Sequence, residues 1–563
     1  MSGGPGLTAV LDSQLVDTAP DASDHPSATS LPARIGWVIL IAATLYVCYF
    51  SHLGAIGFVG PDEPRYAWVA RDMVETGDWV TPRLYGKPWF EKPPLYYWGA
   101  ALCFKLFGVS EAAARLPSAV SALLAMLTLA WLALRLYGAE TARWLLLLLP
   151  TTVGMIGFSH AAATDMPFSS MLTIAMVAAA VVLGLTRNEN TPIIPRAPWL
   201  ALFLFGVFLG AAVLAKGPAA IILCGGAVFF WALFTKHWHD AFRLLHPAAI
   251  AAFCLTALPW YILCARRNPD FFRVFIIEHN FKRYLTPEFQ HVQPFWYYGP
   301  ILLAAFLPWT VSSFIVLRDA AHSWREGRCV NSPSLLFACW LIFPVVFFSL
   351  SESKLPGYIL PVIPPLGLLM AKSVSARVNK HLPGDRWIEI TSGAMLLAMS
   401  LLAALQFERI PLGFAPLILA VASFASFFLG NLSRTVLVSE LAVIAILALA
   451  LSGNTREILD GRLSARAAPV AAAIIWKDYS PERSSTYRLQ RSFQYGLNFY
   501  FHRELSEWSP DRSQPGWVFT SSREEFELRN RGLNCPINAL RHAVIACEDP
   551  GSAARPPRSG QPQ

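Results

Sequence analysis

The chain has 563 residues, 55% of them hydrophobic and 15% charged, with a mean hydropathy of +0.43. Soluble globular chains carry nearer about a quarter charged residues, so this balance excludes a soluble enzyme and defines a polytopic membrane protein. The formal net charge of +8 reads as loop bias, because Lys and Arg accumulate in cytoplasmic loops, and no basic run interleaved with aromatics suggests a nucleic-acid surface.

Residues 1–34, rich in Ser, Asp, Pro and Ala and lacking an early apolar stretch, are expected to form a disordered cytoplasmic tail with no cleaved signal peptide. A membrane helix needs about 20 apolar residues. On that rule, candidate spans fall at Ile35–Phe58, Leu116–Leu134, Trp144–His160, Met166–Leu185, Trp199–Ala215, Pro218–Thr235 and Pro247–Ala265. Six more follow at Phe295–Leu317, Leu335–Leu350, Tyr358–Ala371, Ile390–Leu405, Ile410–Leu429 and Val436–Leu451, thirteen in all. An odd count puts the amino terminus and the C-terminal region on opposite sides. The short loops bearing Arg135, Arg143, Lys236, Arg243, Arg318, Arg325, Lys372 and Arg377 all fall on the N-terminal side, which the positive-inside rule makes the cytoplasm. The opposite face then receives the first loop (59–115), the turn at Thr164-Asp165, the turn after Lys216, the loop 266–294 and the segment 351–358.

Two stretches of the first loop, Arg71–Leu84 and Pro94–Gly108, are too short for spans and read as interfacial helices. Residues 35–452 thus form the transmembrane domain. Beyond it, residues 453–550 read as a small periplasmic α/β domain, with strands at Ala471–Ile475, Gly516–Thr520 and His542–Cys547 and a helix at Glu524–Arg531. Residues 551–563 read as a disordered tail. Of nine cysteines, seven are scattered in or beside apolar spans without metal spacing; Cys535 and Cys547 lie in the polar C-terminal region, where an outside location permits pairing.

The chemistry-capable residues cluster in the charged island of the first loop. Asp62, Glu63 and Arg65 stand together, Glu91-Lys92 follows between Phe90 and Pro93-Pro94, and the prolines suggest a stiffened loop. Such a loop either holds a ligand or simply sits at headgroup level with Trp79, Trp89 and Trp98. Asp62 can act as a general base or stabilise positive charge on a sugar ring. Asp165 interrupts two apolar stretches, a costly place for an acid unless it is paired, functional or capping a helix. Lys92, Lys216, Lys282, Arg283 and Lys354 supply positive charge on the outer face, suited to a phosphate, although snorkelling explains any one of them. Glu91 with Glu278 or His279 is a candidate set of divalent-metal ligands of unknown identity, and Tyr358 a candidate phosphate or sugar partner.

Asp62–Ala67, Phe90–Trp98, Ala163–Asp165, Leu214–Pro218 and Ser353–Pro361 together resemble the bacterial lipid A aminoarabinose transferases, which belong with the protein O-mannosyltransferase-like, polyprenyl-phosphate-dependent membrane glycosyltransferases. The resemblance implies a GT-C fold with about thirteen transmembrane helices and a small C-terminal periplasmic α/β domain. It implies transfer of a sugar, here 4-amino-4-deoxy-L-arabinose, from an undecaprenyl-phosphate carrier to lipid A at the periplasmic face of the inner membrane, without an organic cofactor. Asp62 and Asp165 would be the catalytic carboxylates; Lys92, Arg283, Tyr358 and Lys216 would hold the donor phosphate; Glu63 and Arg65 would support them. Sibling transferases carrying galacturonic acid, a hexose or mannose to lipopolysaccharide core or protein share this layout. A transporter of lipid-linked saccharides is the alternative from another class, but no internal repeat supports it.

Overall fold

The computed structural model describes residues 31–186, 197–286, 292–327, 332–380, 453–510, 514–535 and 543–551, together with Val421. Helix α1 (Leu31–Tyr49) ends before the apolar run does, so the expected span Ile35–Phe58 is shortened. The chain instead turns through His52 and Gly60, at φ 60° and 71°. Those turns aim the carbonyls of Leu53, Ile56 and Gly57 at the guanidinium of Arg115, 2.7 to 2.9 Å away.

Asp62, Glu63 and Arg65 of the charged island begin helix α2 (Asp62–Thr76) rather than the stiffened loop the prolines suggest, whereas Glu91-Lys92 does lie in irregular chain, ahead of the helix that starts at Leu95. Pro64 lies in the first turn, where a missing N–H costs nothing, and the two acids face the positive end of the helix dipole. Gly77, at φ 73°, closes the helix by donating to Met73 O at 3.1 Å. An antiparallel pair, β1 (Arg83–Leu84) and β2 (Lys87–Pro88), then reverses through Tyr85 and Gly86, both at positive φ. Helix α3 (Leu95–Phe107) lies where an interfacial helix is expected. Its Tyr96, Tyr97, Ala100 and Phe104 pack on Tyr66, Val69, Ala70 and Met73 of α2 in one apolar cluster.

The membrane helices follow: α4 (Glu111–Tyr137), α5 (Ala139–Leu148), α6 (Val153–Ser159), α7 (Asp165–Val182), α8 (Ala197–Lys216), α9 (Ala219–Thr235) and α10 (Pro247–Arg267). The expected single span Trp144–His160 is a pair, α5 and α6, bent by 65°. Pro150 sits in the break, where it has no N–H to give to the hydrogen-bond ladder. Gly206 and Gly210, one turn apart on α8, let α10 approach so closely that a Cβ at either would collide with the stretch from Ala249 to Thr256. A second correction concerns Phe295–Leu317, which is also two helices, α11 (Tyr298–Ala305) and α12 (Thr310–Arg325), separated at Pro308. Helix α13 (Ser334–Ser349) precedes a 3-10 turn at Pro356–Val362 that runs into α14 (Ile363–Lys380). Among the described residues, six helices are long and apolar enough to cross a membrane, or seven if the bent pair is one span. The candidate spans at 390–405, 410–429 and 436–451 lie outside the described residues, Val421 apart.

The C-terminal region begins with α15 (Gly453–Leu463) and α16 (Ala467–Ile475). The second replaces the strand expected at Ala471–Ile475; its alanines favour helix more than its isoleucines favour sheet. Strand β3 (Ser484–Tyr487) and helix α17 (Arg491–Phe501) precede β4 (Gly516–Ser521), helix α18 (Glu525–Asn530) and β5 (Val544–Asp549). The sheet order is β3-β4-β5, with β4 parallel to β3 and antiparallel to β5. Alternation along the strands separates two apolar faces: Trp517, Phe519 and Ala546 meet Ala468 and Leu497, while Val518, Ile545 and Cys547 meet Trp508 and Leu528. Cys535 and Cys547 form a disulfide.

Candidate active site

Two charged clusters stand on neighbouring helix starts. In the first, Asp62 opens α2 with its carboxylate 47% exposed and ion-paired to Arg65 one turn later. Arg65 also donates to Pro61 O at 2.9 Å and to Glu91 at 3.2 Å. Its guanidinium lies over the rings of Tyr66, Trp89 and Tyr495, at 5.9, 5.5 and 5.2 Å from their centroids. Burial works against its charge, but Glu91 and Asp62 more than reverse that and hold its pKa above the usual value. Lys92 approaches the other oxygen of Glu91 at 4.0 Å. One exposed carboxylate thus sits at the edge of a chain of alternating charges.

In the second cluster, Asp165 opens α7 and pairs with the ammonium of Lys216, the last residue of α8. Lys216 Nζ lies 4.7 Å from the ring centroid of Tyr358 and 5.5 Å from that of Phe168. Gly357 approaches the carboxylate so closely that a Cβ there would strike Asp165 Oδ1, so the segment 353–361 must carry glycine at this point.

Glu63 joins the two clusters. One of its oxygens accepts from Val59 N, the other from Ala162 N, both at 2.7 Å, and Arg115 closes a two-pronged ion pair at 3.0 and 2.7 Å. Glu63 and Arg115 are both buried. This acid therefore holds the start of α2 against the turn that leads into α7; it faces the fold, whereas Asp62 beside it faces solvent. Composition gave Arg115 no special mark, and a buried arginine at the start of an apolar helix is the signal that could have found it.

The other turns expected on this face also meet. Trp260 and Arg267 of α10 reach Val80 O and Asp78 at 2.9 and 3.1 Å, and Glu352 N donates to Tyr284 O at 3.0 Å. Lys354 is buried and donates to Ser351 O rather than facing a ligand. His160 is turned into the fold, with Nε2 and Nδ1 each 3.0 Å from the carbonyl oxygens of Ser51 and Ile156 respectively. The side chain of Arg283 lies outside the described residues.

A cavity of about 450 Å³ separates the first loop from the segment after α10, lined by Trp89, Phe90 and Glu91 on one side and Asn268, Asp270, Arg273 and His279 on the other. Glu91 and His279 share it. Glu278 is instead engaged by Arg273 at 2.6 Å. Among the described residues, no three His, Cys, Asp or Glu side chains gather closely enough to hold a metal ion. With Glu91 flanked by Arg65 and Lys92, and Glu278 by Arg273, this set fits counter-charges better than a divalent cation.

Comparison with known proteins places this geometry. The family model described as "Dolichyl-phosphate-mannose-protein mannosyltransferase" matches residues 35–275. The crystal structure of ArnT from Cupriavidus metallidurans bound to undecaprenyl phosphate superposes with a TM-score of 0.71 at 24% identity, covering 93% of this chain and 99% of that one. Proteins named undecaprenyl phosphate-alpha-4-amino-4-deoxy-L-arabinose arabinosyl transferase are similar over a long stretch. The one from Erwinia tasmaniensis is 34% identical over 339 residues, 60% of this chain and 59% of its own length; that from Pseudomonas aeruginosa strain PA14 is 33% identical over 377 residues, 66% of each. The chain therefore spans about three fifths to two thirds of the length of these relatives. A helical, multi-pass membrane protein of GT-C fold is the class these features define. Within it, the chain belongs to the aminoarabinose transferase family.

Proposed function

We propose that this chain is a glycosyltransferase of the bacterial inner membrane that moves 4-amino-4-deoxy-L-arabinose from an undecaprenyl-phosphate carrier to lipid A at the periplasmic face. The observation that carries this reading is the junction of the two acid–base clusters through Glu63 and Ala162, in a chain whose relatives bear that name. The loop charges, together with the odd number of spans expected from the sequence, support a cytoplasmic amino terminus and a periplasmic site.

In the reaction, the bond between the sugar's anomeric carbon and the carrier phosphate breaks, its electron pair leaving with undecaprenyl phosphate, and a bond from that carbon to the acceptor oxygen forms. Cations that stabilise the departing phosphate lower the barrier. Lys92 is positioned for this beside Glu91, with Arg283 and Tyr358 as further partners. Lys216 joins them only if phosphate draws it partly from Asp165, to which it is bound. Asp62, with its exposed carboxylate, faces the positive charge that develops on the sugar ring; a lipid A phosphate oxygen is already anionic and needs no base, whereas a hydroxyl acceptor would pass its proton to Asp62. Asp165 would orient the donor sugar from the other cluster. No step is routed through a metal.

The test is reconstitution of the full chain in liposomes with the carrier-linked aminopentose and lipid A, read by mass spectrometry. A mass gain of one aminopentose on lipid A supports the reading. No gain, with transfer to core sugars or protein instead, moves the chain to a sibling activity.

A further inference from the structure

Helix α17 turns one face to the first loop. Tyr495, Asn498, Phe499 and His502 recur at the i, i+3, i+4, i+7 spacing that puts side chains on one side of a helix. Each finds a partner there: Tyr495 lies over Arg65, Asn498 donates to Tyr85 Oη at 3.0 Å, Phe499 meets Phe58 edge-on at 4.8 Å, and His502 bonds Glu75 at 3.0 Å. Tyr500 adds a hydrogen bond to Glu111 and accepts one from Phe58 N, both at 3.0 Å. Arg466 caps the carbonyls of Gly54 and Ala55. The C-terminal region is therefore fixed on the island by many groups, and Tyr495 is carried to Arg65 by the rest.

Tyr495 differs from its neighbours on that face. It is half-buried and belongs to none of the apolar clusters of the first loop or of the C-terminal sheet. Of the three rings around the guanidinium, Tyr66 and Trp89 come from the first loop itself; Tyr495 alone arrives from the distant C-terminal region. We infer that the C-terminal region completes the transfer site, with Tyr495 as a positioning residue that holds the Arg65 guanidinium between Asp62 and Glu91. Without the third ring the guanidinium gains room to swing away from both carboxylates, leaving Asp62 without its fixed partner. This inference rests on the reading of the Asp62 cluster as the transfer site.

The experiment compares Tyr495→Ala, Tyr495→Phe, Arg65→Lys, Asp62→Asn and the double variant Arg65→Lys/Tyr495→Ala in the full reconstituted chain, with thermal unfolding as the control for folding. Loss of a desolvated cation–ring contact is expected to lower kcat about tenfold in Tyr495→Ala, with KM for the carrier donor little changed. Tyr495→Phe keeps the ring and is expected to restore kcat. The double variant is expected to be no slower than Arg65→Lys, because both act on one guanidinium. Wild-type turnover in Tyr495→Ala, failure of phenylalanine to rescue, or full additivity in the double variant each overturns the inference while leaving the site reading intact. Wild-type turnover in both Arg65→Lys and Asp62→Asn overturns the site reading itself, and the inference with it.

Discussion

Arg115 and Glu63 form an ion pair at 2.7 Å with side chains only 5% and 8% exposed. Because Glu63 also accepts from Val59 and Ala162, and Arg115 from its side donates to three carbonyls before the charged island, the pair organises the backbone around it without facing the site. Removing one partner strands the other charge in the interior, at a cost of about 3–5 kcal/mol. Glu63→Ala is expected to lower the unfolding temperature and expression sharply. A variant that folds as well as the wild type, by thermal unfolding in detergent, contradicts that role.

Gly357 gives a separate prediction, since a side chain at this position meets Asp165 before it meets anything else. Gly357→Ala should displace the carboxylate from Lys216 and reduce turnover per folded molecule by about 100-fold, the scale of a misplaced positioning group. Unchanged turnover would mean that the Asp165 geometry is not needed for transfer.

Lys92 stands 4.0 Å from Glu91 with its side chain 12% exposed. A charge-assisted hydrogen bond contributes about 1.5–3 kcal/mol, so Lys92→Ala should raise the KM for carrier lipid by roughly 10- to 100-fold. Donor titration of the reconstituted protein measures this directly; an unchanged KM removes Lys92 from phosphate binding.

Asp78 supplies a pH dependence. Burial raises its pKa, but the amides of Thr81 and Val80, then Arg267 and Arg83, outweigh burial and hold it below the ordinary carboxylate value. The charged form is therefore favoured in the folded state. Its contribution is fully present above the unfolded value of about 4 and is lost as pH falls through the lower folded value. The protection of the Val80 and Thr81 amides, taken against the intrinsic exchange rate at each pH, should fall below about pH 4, and Asp78→Ala, which removes the accepting oxygen, should show the weaker protection at every pH. Wild-type protection of both amides in that variant would contradict the assignment.

The apolar helices and the charged island were legible because length, hydropathy and loop charge act locally. What sequence could not supply were the breaks and the distant contacts. Prolines at 150 and 308 split two expected spans, yet Pro117 and Pro259 lie inside continuous helices, so a proline alone does not say where a span breaks. Of the two adjacent acids, Asp62 and Glu63, only the partner contributed by α4 decides which turns inward. Helix α17 (Arg491–Phe501) went unread in the sequence, and nothing local marked its partners in the first loop. Ala471–Ile475 read as a strand because its isoleucines stand together, while the alanines before them set the local preference.

The most direct test of the central claim is mass spectrometry of lipid A from cells that make the carrier-linked aminopentose and carry the wild-type chain, the Asp62→Asn variant or neither. The account predicts one added aminopentose on a lipid A phosphate with the wild type alone, the variant accumulating in the membrane at a normal level. The same addition with Asp62→Asn, or none with the wild type, would contradict it.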